Sequence, residues 1–164
     1  MAPMATADDA SAFARLHRHG DDMAYERVHM IWDYWEGPRS GIADSGGRPF
    51  HFSCVYDEHE YAYTDTFVLT PFDDDTFALA QEEWAIWRRW EADFHAGRVL
   101  RESHPSYGHY DPRYNELRQL LNAQIERGSA RALRMRGEFR PAVAEQEAFP
   151  GQRHLFEVEW LQAD

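Results

Sequence analysis

The spacing of hydrophobic residues changes twice along this chain. Apolar and polar residues alternate between about residues 25 and 70, recur every three or four positions between about 74 and 127, and alternate again from 133. A period of two is typical of half-buried strands, whereas a period near 3.6 is typical of amphipathic helices. This order predicts an α+β fold, in which an antiparallel sheet of about five or six strands carries two main helices on one face.

Residues 25–164 contain no internal repeat and no low-complexity linker. We therefore expect them to form one domain, which is the usual outcome for a chain of this length. Residues 1–24 are mostly small, polar or acidic, and they predict a loose N-terminal segment with room for one short helix.

Local signals mark several boundaries. Ser45-Gly46-Gly47 predicts a hairpin turn, because glycine tolerates a positive φ. Asp73 can cap a helix over 74–96 that stops at Gly97, and Asp111 can cap a second helix over 111–127.

The net charge of −12 limits the classes of partner. A general nucleic-acid binder needs a basic face to displace counterions from phosphates, so nucleic acid is not expected as a partner. The chain has no apolar run of membrane-spanning length and no basic, apolar leader at its N-terminus. With a single cysteine, Cys54, the cytoplasm is the expected location.

The first helix places carboxylates among tryptophans. On a helical wheel Glu83 and Glu91 fall within the apolar half, and His95 lies one turn beyond Glu91. A carboxylate in such surroundings has a raised pKa, so Glu91 and His95 are the candidate catalytic residues. The alternative is that these glutamates reach water or an arginine.

A second polar cluster is expected on the outward face of the sheet. Imidazole, carboxylate and indole groups there could hold an anionic or aromatic small molecule beside a glycine-bounded turn. An ordinary solvent-facing sheet surface is the alternative. The candidate ligand-binding residues are His29, Asp33, Trp35, Arg39, Ser40 and His51.

The histidine-rich stretch 102–111 lacks the close ligand spacing of known metal motifs. Neither a metal nor another cofactor is expected. Arg134, Arg136 and Arg140 are expected to pair with Glu157 and Glu159 on the following strand.

Two functions remain open. The first is a small acidic, aromatic-rich binding protein, of the accessory or antagonist type, that recognises a basic protein partner. The second is a small acid–base enzyme with an aromatic-lined pocket between helix and sheet, in which a buried Glu or a sheet His acts on a small molecule.

Overall fold

The computed structural model describes residues 24–108, 110–142 and 155–164. All but the last residue of the predicted N-terminal segment 1–24 lie outside these ranges. Two short 3₁₀ turns, Arg101–Ser103 and Ser129–Arg131, follow the two helices. The main elements in chain order are β1 (Tyr25–Tyr34), β2 (Pro38–Ser45), β3 (Arg48–Asp57), β4 (Ala62–Pro71), α1 (Asp74–His95), α2 (Pro112–Gly128), β5 (Leu133–Pro141) and β6 (Phe156–Gln162).

The six strands form a closed antiparallel barrel in the order β1 to β6. Closure comes from pairing of the first strand with the last, with Tyr25 opposite Glu159 and Arg27 opposite Glu157. The predicted open sheet is therefore wrong, although the antiparallel pairing and the two helices are present. Alternation shows which face of a strand is buried, but an edge strand and a barrel strand share the same alternation.

Large aromatic rings fill the barrel. Phe52, Phe67, Phe139 and Trp160 lie with their ring centroids 5.3–6.1 Å apart. Gly137 makes room for this cluster, because a Cβ at that position would lie 2.7 Å from the Trp160 ring. The interior of the barrel is thus a packed core.

The helices cover the outside of the barrel wall. Met30 and Ile42 point outward from β1 and β2 and pack against Ala80 of α1 and Leu121 of α2. Val28 and Ile31 of β1 belong instead to the interior cluster. Because β1 is buried on both faces, the predicted assignment of one core face and one solvent face does not hold for it.

Two β-bulges explain how β1 serves both faces. Its register with β2 slips between Val28 and Met30 and again between Ile31 and Asp33, so His29 and Trp32 are extra residues on β1. A bulge redirects side chains and increases the twist that closure requires. Because His29 is an extra residue, Val28 lies in the interior and Met30 on the helix side; ordinary alternation from Met30 then places Ile31 inside and Trp32 on the helix side.

Most local signals are confirmed. Asp73 accepts a hydrogen bond from the Thr76 amide at 2.7 Å, and Asp111 accepts one from the Tyr114 amide at 2.9 Å. Gly46 and Gly47 form the β2–β3 turn with positive φ. The glycine-bounded turn that the sequence predicts beside the second polar cluster, at residues 37–41, is shorter in the structure, since β2 begins at Pro38.

Candidate functional site

An open cleft of about 750 Å³ lies between α1 and the outer wall of β1. We call it the aromatic cleft. Its lining comes from three segments: β1, the second half of α1, and the loop that follows α1. The lining residues are Ile31, Trp32, Asp33, Tyr34, Trp87, Trp90, Glu91, Phe94, His95, Arg101, His104, Ser106 and Tyr107.

Stacked rings along α1 form one wall. Trp84 and Trp87 lie 5.1 Å apart with their planes at 19°, and Trp90 and Phe94 lie 5.2 Å apart at 13°. Residues three or four positions apart meet on one side of a helix, so the sequence spacing alone builds these pairs. The wall offers flat apolar surface toward β1.

The loop after α1 is bound to this wall by polar contacts. The Trp90 indole donates to Ser103 Oγ at 3.0 Å, and the Trp87 indole approaches His104 Nε2 at 3.4 Å. The His104 ring also lies 4.6 Å from the Trp90 ring. Burial lowers the pKa of His104 and so favours the neutral ring, whose Nδ1 accepts a hydrogen bond from the Ser106 amide at 3.1 Å.

A smaller hollow of about 150 Å³, the inner pocket, adjoins the cleft. The two share Ile31, Trp32, Asp33 and Trp87. The other residues of the inner pocket are Glu83, Trp84, Tyr114 and Arg118.

Glu83 is almost fully buried in this pocket, with 2% of its side chain exposed. Its Oε1 lies 3.7 Å from Arg118 Nη1, close enough for an ion pair but too long for a hydrogen bond. The Arg118 guanidinium stacks on the Trp32 ring at 4.3 Å. The two charges therefore offset each other without a direct hydrogen bond.

Burial raises the pKa of Glu83, and the charge of Arg118 opposes this rise. The Tyr114 hydroxyl and the Trp32 indole oppose it to a smaller extent, although the indole nitrogen has no hydrogen-bond partner within the described chain. Burial and the charge of Glu83 together raise the pKa of Tyr114. In the inner pocket, burial therefore disfavours the ionised forms of both acids, while the charge of Arg118 favours the carboxylate of Glu83.

His51 lies behind Trp32, under the helices. Its ring is 5.3 Å from the Trp32 ring and stacks on Phe72 at 6.3 Å. Burial, and to a smaller extent the charge of Arg118, lower its pKa to about 4, and the charge of Asp33 opposes the change. A neutral His51 therefore supports the ring of Trp32.

The two predicted catalytic residues both line the aromatic cleft. Glu91 Oε2 accepts a hydrogen bond from Arg88 at 2.7 Å, and Glu91 Oε1 lies 3.8 Å from His95 Nε2. Glu91 therefore pairs with an arginine, which is the alternative to a catalytic role that the sequence left open. Its catalytic role remains a prediction.

The structure distributes the six predicted ligand-binding residues over three places. Asp33 lies at the cleft, where it accepts a hydrogen bond from Ser40 at 2.8 Å, and His51 lies behind Trp32. His29 lies near the start of α1, bound to Asp44 at 2.7 Å and packed against Phe77.

Trp35 and Arg39 lie instead at one end of the barrel. The Arg39 Nε donates to the Trp35 carbonyl at 2.7 Å, its guanidinium stacks on Tyr63, and Nη1 lies 3.7 Å from Cys54 Sγ. A hollow of about 330 Å³ opens beside Arg39 at this end.

Sequence reasoning missed Trp32, Arg118 and His104 as site residues. Arg118 follows Tyr114 by four positions and therefore flanks the apolar stripe of α2, where a cation for the buried Glu83 could have been sought. Trp32 shares the outward face of β1 with Met30 by ordinary alternation, but no sequence signal shows that α1 packs against that face.

No family model, curated protein sequence or solved structure matches this chain. Among residues 24–108, 110–142 and 155–164, no cluster of three or more His, Cys, Asp or Glu is arranged to hold a metal ion. The same ranges contain no helix with the length and hydropathy of a membrane-spanning segment.

Proposed function

We propose that this protein binds a small planar molecule in the aromatic cleft. The observation that carries the proposal is the lining itself. Four of the six tryptophans of the chain, Trp32, Trp84, Trp87 and Trp90, line the aromatic cleft and its inner pocket. Small-molecule sites are typically concave, about 300–1,000 Å³ in volume and apolar with a few placed polar groups.

The proposal develops the second of the two functions considered from the sequence, an aromatic-lined pocket between helix and sheet. Rings stacked along α1 offer dispersion and quadrupole contacts to a flat ligand. Asp33, Glu91 and Arg101 at the rim supply polar contacts that can fix its orientation. Any acid–base step on the bound molecule would use Glu83, whose carboxyl is the buried one.

The test measures the binding of a set of planar bicyclic fragments by ligand-observed NMR and by intrinsic tryptophan fluorescence. We expect binding to quench the fluorescence, because most of the indoles line the site. Trp87→Leu should weaken binding at least about tenfold, since one aromatic contact contributes on the order of 1 kcal/mol beyond its buried area.

The matched control is Leu120→Ala, which removes an exposed apolar side chain from α2 outside both cavities. This variant should bind like the wild type. Equal affinity of the Trp87→Leu and Leu120→Ala variants would contradict a ligand site in the aromatic cleft.

A second candidate, recognition of a basic partner, is supported by the β3–β4 hairpin tip. Residues 56–65 contain four acids and no Arg, and Tyr61 at the tip is 83% exposed. Aromatic anchors among acids suit a cationic surface.

An Arg-rich peptide tests this second candidate. The double variant Glu58→Gln/Glu60→Gln should slow association, and Tyr61→Ser should speed dissociation. Glu126→Gln on α2 is the control. Association that does not depend on salt up to about 0.3 M would contradict recognition through these charges.

A further inference from the structure

The inner pocket holds polar groups that nothing in the described chain satisfies. Trp32 Nε1, Glu83 Oε2 and Arg118 Nη1 are all buried, and none makes a hydrogen bond of good geometry with a described residue, although Trp32 and Tyr114 lie near enough to Glu83 to lower its pKa and Arg118 Nη1 lies 3.7 Å from Glu83 Oε1. Buried polar atoms are nearly always paired, and each unpaired one destabilises the fold. Here three such atoms belong to residues that line the same pocket. We take this as a sign that the pocket receives a polar group of a ligand.

The three atoms define the hydrogen bonds of that group. Trp32 Nε1 and Arg118 Nη1 can only donate, whereas an ionised Glu83 Oε2 can only accept. The complementary group accepts two hydrogen bonds and donates one. A lactam edge does this with its C=O and its N–H, and a hydroxyl does so with a single oxygen.

The shape and charge of the pocket restrict the ligand further. Trp84 and Trp87 present flat rings, and a hollow of about 150 Å³ can hold one six-membered ring. Glu83 and Arg118 already offset one another. An ionised ligand group would therefore be buried beside a like charge, which is costly in a desolvated site.

We propose that the inner pocket recognises a neutral planar ring whose leading edge is a lactam or a hydroxyl. The N–H or O–H of the ligand donates to Glu83 Oε2, and its oxygen accepts from Trp32 Nε1 and Arg118 Nη1. The rest of the ligand lies along the aromatic cleft. The inference rests on the proposed function and specifies the class of ligand.

The test uses bicyclic probes of nearly equal size in calorimetric and ligand-observed NMR titrations at pH 7.5. The lactam probe is 2-quinolone and the hydroxyl probe is 2-naphthol. N-methyl-2-quinolone blocks the donor, and quinoline lacks it. Quinoline-2-carboxylate and 2-aminoquinoline carry an anionic and an amidine-like edge, respectively.

We expect 2-quinolone or 2-naphthol to bind at least about tenfold more tightly than the probes without a donor. Whichever of these two probes binds more tightly shows whether the pocket prefers a lactam or a hydroxyl edge. Trp32→Phe keeps a ring in place but removes one donor, and Arg118→Met removes the other. Both should lower the preference for 2-quinolone over quinoline, which has no oxygen for these donors, while Arg127→Met, on the exposed side of the same helix, should preserve it.

Equal affinity for 2-quinolone, its N-methyl derivative and quinoline would overturn the inference but leave the aromatic cleft as a ligand site. Tighter binding of the carboxylate or the aminoquinoline would overturn it as well. If no probe binds, both the inference and the proposed function fail. Trp32→Phe keeps the test decisive even if Arg118→Met does not fold.

Discussion

His51 should make the stability of the fold depend on pH. The ring is 8% exposed and lies between Trp32 and Phe72, with Arg118 close enough to disfavour its charged form. Its pKa falls from 6.5 in the unfolded chain to about 4 in the folded protein. Folding therefore favours the neutral ring, and protonation favours unfolding.

The sign and size of this pH effect on the free energy of unfolding follow from the two pKa values. A depressed pKa contributes stability that is present above the unfolded value of 6.5 and is lost as the pH falls from there toward 4. The full loss is about 3 kcal/mol, at about 1.36 kcal/mol for each unit of pKa. Between pH 7 and pH 5 the loss is about 2 kcal/mol.

The perturbation is His51→Gln, which removes the titrating group and keeps a polar side chain of similar size. Urea unfolding at pH 7, 6 and 5 gives the free energy of unfolding for both proteins. Their difference should shift by about 2 kcal/mol between pH 7 and 5, with the wild type losing more stability in acid. Comparing the two proteins cancels the opposite trend expected from Glu83, whose raised pKa favours the folded state at low pH.

His59→Gln is the control, because it removes an exposed imidazole from the β3–β4 turn and leaves the surroundings of His51 unchanged. This variant should retain the acid sensitivity of the wild type. If the difference between wild type and His51→Gln is constant within about 0.5 kcal/mol from pH 7 to 5, the reasoning from burial is refuted.

Three further predictions use the same urea assay. Gly137→Ala should destabilise the fold by about 1–3 kcal/mol, because its Cβ would meet the Trp160 and Phe67 rings at 2.7–3.1 Å. An unchanged urea midpoint would show that the rings in the barrel can move to accept the added Cβ. Asp111→Ala should cost about 1 kcal/mol through loss of the α2 cap, and Asp111→Asn should restore most of it. Arg134→Gln/Arg136→Gln should cost less than about 1 kcal/mol, since the pairs of Arg136 with Asp65 and Glu138 within the described residues are long, at 3.9 Å; a larger loss would assign those arginines a structural role.

The features that the sequence predicts correctly are local. The β2–β3 turn depends on Gly46 and Gly47, and each helix begins where an aspartate can accept an amide hydrogen bond. Such features need only a few neighbouring residues. Of the predicted pairs between the last two strands, Arg140 with Glu157 is confirmed, because the register sets it. For Arg136 the prediction is wrong, since it stands opposite Leu161 and pairs with Asp65 and Glu138.

Barrel closure depends on contacts between distant parts of the chain. Tyr25 meets Glu159 across 134 positions of sequence, and no alternation pattern encodes which edge strands will pair. The same holds for Glu83 and Arg118, which lie on different helices and meet only after α1 and α2 pack together. Helix periodicity could place Glu83 on the apolar side of α1, but it could not identify its partner.

The bulge at His29 connects the fold to the candidate site. Without the extra residue, strict alternation would put Val28 and Met30 on the same face of β1; with it, Val28 and Ile31 lie inside the barrel, whereas Met30 and Trp32 lie on the helix side. The wall of the inner pocket is therefore set by the same irregularity that adds twist to the closing strand. A buried ion pair is weak evidence for stability, because apolar residues of similar volume often do as well. The proposed ligand would account for the presence of Glu83 and Arg118 beside a hollow, with buried polar atoms that lack a well-formed hydrogen bond.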